Sequence, residues 1–151
     1  MSSFNYFFCL ANGTLDWLLG FFGIVTIPLF FGAAYLVGFA FYRKEAKPLR
    51  VVVACIAPAI IPIGVLIAGV AFVEPLGVGG QAVPPRFMGW SVEDARTTVS
   101  VLMFLILPLG LALGWWARRA WIAVLASTIW WGWVSFCAGI EATMSITGNW
   151  L

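Results

Sequence analysis

Apolar positions along this chain run on in long blocks, and four of them can be separated by short polar or basic breaks. The first, DWLLGFFGIVTIPLFFGAAYLVGFAFY, covers Asp16 to Tyr42 and gives way to the basic segment RKEAKPLR, Arg43 to Arg50. The second, VVVACIAPAIIPIGVLIAGVAFV, covers Val51 to Val73. The segment EPLGVGGQAVPPRFMGWS over 74–91 is too rich in Gly and Pro for a regular helix and reads as a loop. Beyond it, 98–146 is almost uninterrupted apolar sequence, broken by Arg118 and Arg119 in WWARRAW. A straight helix over that stretch would be roughly 73 Å long at about 1.5 Å per residue, more than twice the roughly 30 Å of a bilayer core. The chain must turn at the two arginines, which divides the stretch into a third and a fourth span.

Local signals refine the boundaries. Asp16 suits the N-cap of the first span, and Ser91 with Asp94 has the S-x-x-D spacing of a capping box that starts the third helix near Val92. Pro58 and Pro62 interrupt the second span and are tolerable only if neighbouring helices re-satisfy the carbonyls they free. The N-terminal run FNYFFCLA, Phe4 to Ala11, is too short to cross a membrane and suits the interface or a neighbouring subunit. No basic region precedes it, so neither a cleaved signal nor lipidation at Cys9 is expected.

Composition fits the same picture. Hydrophobic residues make up 63% and charged residues 9%, with a mean hydropathy of +1.03, far from the balance of soluble domains. The expected fold is an all-α integral membrane protein, a four-helix transmembrane bundle forming a single transmembrane domain over 1–151. Its spans fall at about 16–42, 51–73, 92–117 and 121–141, with an outer loop over 74–91.

Charge orients the bundle. Arg43, Lys44, Lys47, Arg50, Arg118 and Arg119 against Glu45 give +5 on one side. Arg86 and Arg96 against Asp16, Glu74, Glu93, Asp94 and Glu141 give −3 on the other. Short cytoplasmic loops collect Lys and Arg, so both termini are expected outside and the six basic residues act as cytoplasmic anchors, with Trp115, Trp116 and Trp121 as their interfacial belt. The expected location is a plasma membrane, of the bacterial inner-membrane kind.

Candidate chemistry is sparse. The chain has no histidine, and Cys9, Cys55 and Cys137 lack any CxxC spacing, which removes the usual metal, haem and nucleophile–base combinations. No catalytic or metal-binding residue is assigned, and the chain is not expected to be an enzyme. Glu141 could bind a cation or relay a proton, but about 30 Å along the helix from Trp121 it reads first as an acid at the outer boundary. Asp16, Glu74, Glu93, Asp94 and Glu141 together form an acidic outer face. Trp130, Trp131 and Trp133 sit mid-span in TIWWGWVSF and point different ways around the helix, suggesting contact with lipid, quinone or another subunit. Gly110 with Gly114, and Ser135 with Gly139, have the spacing of close helix packing, within the chain or between chains. Asn12-Gly13-Thr14 is a glycosylation sequon near the membrane.

These features suggest a non-catalytic accessory subunit of an energy-converting or secretion-type membrane complex. It would have no cofactor of its own beyond lipid or quinone at a subunit boundary. Its partners would be other membrane subunits and lipids, and no nucleic acid. The alternative is a small homo-oligomeric transporter or channel with an acidic outer vestibule.

Overall fold

The computed structural model describes residues 3–42, 47–72 and 91–147, and these are helical almost throughout, with no strand among them. Arg43, Lys44, Glu45, Val73, Glu74, Arg86, Trp90 and Trp150, and with them nearly all of the expected outer loop, lie outside the described residues. Four helices are long and apolar enough to cross a bilayer: Gly23–Tyr42, Pro48–Ala71, Val92–Trp116 and Arg118–Thr147.

The chain opens with α1, Ser3–Asp16. The N-terminal run is therefore part of a longer helix rather than a short interfacial segment. Tyr6, Leu10 and Thr14 recur at four-residue spacing and are buried, so α1 has an inward stripe of its own. A π-helical turn, Trp17–Phe21, links α1 to α2, Gly23–Tyr42, and the Phe22 N–H bonds back to the Trp17 carbonyl at 2.9 Å. Asp16 therefore lies inside a helical run, with helical backbone angles and no side-chain cap bond, and does not act as an N-cap. The helix continues through it because the apolar stripe of α1 has its own surface to bury against.

Proline accounts for the next two breaks. The second span comprises α3, Pro48–Ile56, a 3-10 turn at Ala57–Ala59, and α4, Ile60–Ala71. Pro58 stands inside that turn, while Pro48 opens α3 at a position where its missing N–H costs nothing. The third span comprises α5, Val92–Phe104, and α6, Ile106–Trp116, interrupted at Leu105. Pro108 would clash with the carbonyl four residues back, on Phe104, where α5 ends. Ser91 and Asp94 form the expected capping box: the Ser91 N–H donates to Asp94 Oδ2 at 2.8 Å, and the Asp94 N–H donates to Ser91 Oγ at 3.1 Å.

A single 3-10 turn, Arg118–Ala120, carries the chain from α6 into α7, Trp121–Thr147. The last helix runs past Glu141 to Thr147 and touches every other helix, so it is the central post of the bundle. Two buried clusters mark the two ends. Ala40, Val51, Ala54, Cys55, Ala117, Ala120, Ala123 and Val124 join the end of α2, α3 and the α6–α7 corner. Tyr6, Leu10, Val65, Leu66, Val99, Ala138, Ala142 and Ile146 join α1, α4, α5 and the far end of α7. The basic residues that flank the first cluster are thus gathered at one end, and α1 packs beside the C-terminal part of α7 at the other.

Candidate functional site: a buried carboxylate under the first helix

Glu141 lies on the inward face of α7 and is only 5% exposed. The sequence places it at an outer boundary; within the fold it is covered, because α1 lies over it. Gly13 makes this possible, since a Cβ at that position would overlap the Glu141 carboxylate. The indole N–H of Trp17, in the π turn, donates to Glu141 Oε2 at 3.1 Å. A turn further along α7, Ser145 is hydrogen-bonded to the Tyr6 hydroxyl of α1. Burial pushes the Tyr6 phenol above its ordinary pKa, and the Ser145 bond partly offsets that rise. No described cation pairs with Glu141. The arrangement is a buried carboxylate held by one indole N–H donor, within electrostatic reach of Asp16 and lying directly against Gly13 of the first helix.

Of the rest of the expected acidic face, Asp16 is near enough for its charge to act on Glu141, and no such influence reaches it from Glu93 or Asp94. Asp16, Glu93 and Asp94 are exposed, Glu93 pairs with Arg96 at 3.6 Å, and Glu74 lies outside the described residues. Within the sequon, Asn12, which would carry the glycan, is exposed, while Thr14 is buried and donates to the Leu10 carbonyl at 2.8 Å.

The three mid-span tryptophans do point different ways, and the chain's own helices meet each of them. Trp130 packs edge-to-face on Phe30 of α2, with centroids 5.1 Å apart. Trp133 donates to Thr26 Oγ1 at 2.9 Å and packs against Phe22. Trp131 donates to the Cys55 carbonyl at 2.8 Å, and Ser127 donates to that same oxygen. The Cys55 carbonyl sits just before the proline break, so α7 supplies donors where the second span loses regular pairing. All three rings are half-buried, which leaves part of each for lipid or a partner.

Both small-residue pairs are used inside the chain, one of them by half. A Cβ at Gly110 would overlap Thr128 of α7, whereas Gly114 faces open space. Gly139 admits Met103 of α5, and Ser135 donates to the Trp131 carbonyl at 2.7 Å. At the basic end, Lys47, Arg50, Arg118 and Arg119 are exposed, with the Arg50 guanidinium carbon 5.7 Å from the Trp116 ring centroid. Trp115 and Trp121 are exposed beside them.

No protein-family model matches the chain, and neither a curated protein nor a solved structure matches it. The functional reading therefore rests on geometry. The Trp17–Glu141, Tyr6–Ser145 and Arg50–Trp116 pairings were not read from the sequence. For the first, the available signal was the four-residue recurrence of Tyr6, Leu10 and Thr14, which places Gly13 and Trp17 on the flank of a buried stripe.

Proposed function

We propose that this chain is a non-catalytic accessory subunit of a larger membrane complex, of the energy-converting or secretion type, with lipid or quinone at its subunit boundaries. In this reading it lies in a plasma membrane of the bacterial inner-membrane kind, both termini outside and the arginine corner inside. The observation that carries it is Tyr35. This residue stands on the outward ridge Phe31, Tyr35, Phe39 and Tyr42 of α2, is 70% exposed, and its hydroxyl meets no described acceptor. It lies about 10 Å along the helix from Tyr42, and helical side chains lean toward the N-terminus, here away from the nearer interface. A hydroxyl in that place is unsatisfied against lipid tails, whereas a neighbouring subunit can offer it an acceptor.

The native particle tests the proposal. Gentle solubilisation should give a mass well above that of the chain and its detergent, with other membrane subunits co-purifying. A particle made of this chain alone would sink it. Orientation is tested separately with Lys47→Cys: an impermeant thiol reagent applied to intact cells should leave it unlabelled.

Glu141 favours a second reading, a small homo-oligomeric transporter or channel, since embedded carboxylates commonly mark ion or proton paths. Conductance or proton uptake in liposomes holding the purified chain alone, lost in Glu141→Gln, would establish it.

A further inference from the structure

We infer that the basic end of the bundle is a binding site for an anionic phospholipid headgroup, built around Arg50, Arg118 and Arg119. The inference rests on the membrane placement proposed above and goes beyond it by naming a ligand. Val51 and Ala54 share one buried cluster with Ala117 and Ala120, which sets the start of α3, and Arg50 with it, at the end of the bundle where the α6–α7 corner carries Arg118 and Arg119. The Arg50 guanidinium lies over the Trp116 ring. A cation–π attraction consumes no N–H donor, so the guanidinium keeps its donors for two parallel bonds to a phosphate. Lys47 adds a fourth exposed cation, and no described carboxylate stands within ion-pair distance of any of the four.

Exposed Trp115 sits at the same end, where an indole marks the headgroup level of a bilayer. Four cations with no described counter-charge, one of them beside an aromatic ring, complement a phosphodiester that carries net negative charge. A zwitterionic headgroup offers the same phosphate but sets an ammonium against the same cations, so the site discriminates by charge. The acyl chains commit the ligand to the bilayer rather than to free phosphate.

Native mass spectrometry of the protein extracted from vesicles of mixed phosphatidylglycerol and phosphatidylcholine tests this. The wild type should retain phosphatidylglycerol in preference to phosphatidylcholine. Arg50→Gln should reduce that retention about fivefold, and Arg118→Gln with Arg119→Gln further still. Arg50→Lys keeps the charge that orients the chain but loses the planar fork, so it should insert normally and still retain less lipid. Arg96→Gln, at the opposite end, should match the wild type. Equal retention of the two lipids, undiminished retention in the arginine variants, equal loss in Arg96→Gln, or displacement of the lipid by inorganic phosphate would each overturn the inference. A chain that stays out of the vesicles altogether would overturn the membrane placement as well.

Discussion

Trp17 and Glu141, 124 positions apart, meet through an indole N–H to carboxylate bond of 3.1 Å that ties the first helix to the last. The bond needs an acceptor oxygen at position 141, and a side chain at position 13 would displace the carboxylate that supplies it. Glu141→Gln keeps the oxygen, so its folding stability should stay within about 1 kcal/mol of the wild type. Gly13→Leu places carbon where the carboxylate lies and should cost about 1–3 kcal/mol by overpacking. Unfolding titrations in mixed detergent would compare them. Wild-type stability in Gly13→Leu would mean that α1 does not lie on α7 as described. Full assembly with complete loss of activity in Glu141→Gln would move the functional reading to the transporter.

The Cys55 carbonyl offers a cleaner energetic test because two α7 side chains donate to one oxygen. Removing either donor leaves the other, so Ser127→Ala and Trp131→Phe should each cost about 0.6 kcal/mol, the usual value for a hydrogen bond between membrane helices. Removing both leaves the carbonyl at the helix break without either donor, where the cost rises to about 2–3 kcal/mol, the upper part of the usual range. The double variant should therefore lose more than the two single losses combined. Strict additivity in the cycle would show that the two donors do not share an acceptor.

The helical class and the turn at Arg118 and Arg119 were legible from apolar run lengths alone, because a bilayer core fixes how long a span can be. The capping box at Ser91 and Asp94 was legible because it is local. Glu141 was not, because its environment is made by α1, whose apolar run is too short to cross a membrane and whose inward stripe of Tyr6, Leu10 and Thr14 is only three residues long. The tryptophans of α7 show the same limit. That they point in different directions follows from consecutive positions on a helix, but what each ring meets depends on which helix lies there. The rank of α7 as central post is written in polar residues that apolar run lengths do not weigh: Ser127, Thr128, Ser135, Glu141 and Ser145 all lie in this helix and are buried.

Gly110 and Gly114 separate packing within the chain from packing between chains. Gly110→Ala puts a Cβ onto Thr128, which is buried and held by its own bond to the Val124 carbonyl at 2.8 Å, so it cannot swing aside cheaply. That variant should lose about 1–3 kcal/mol of stability. Gly114→Ala meets open space and should change stability by less than about 0.5 kcal/mol. The readout is again detergent unfolding, and equal effects at the two positions would refute the assignment of Gly110 to the α6–α7 contact. If Gly114→Ala leaves stability intact but shrinks the native particle, the open side of α6 touches another chain.

Tyr35→Phe tests the subunit proposal with a single oxygen. Against lipid, the phenol hydroxyl is a burden, so its removal should leave the isolated chain as stable as before or more so. Against a neighbouring subunit that accepts its proton, removal leaves that acceptor buried and unpaired, and association should weaken by about 1–3 kcal/mol. The ring itself remains, so shape and stacking on Phe39, with centroids 6.3 Å apart, are preserved. The two environments thus predict opposite signs in two measurements on one variant. Blue-native electrophoresis should show a larger share of small particle for Tyr35→Phe while the unfolding midpoint of the separated chain holds or rises. An unchanged complex would leave α2 facing lipid and remove the main support for the accessory reading. A lower midpoint of the separated chain would mean that the hydroxyl serves the chain's own fold.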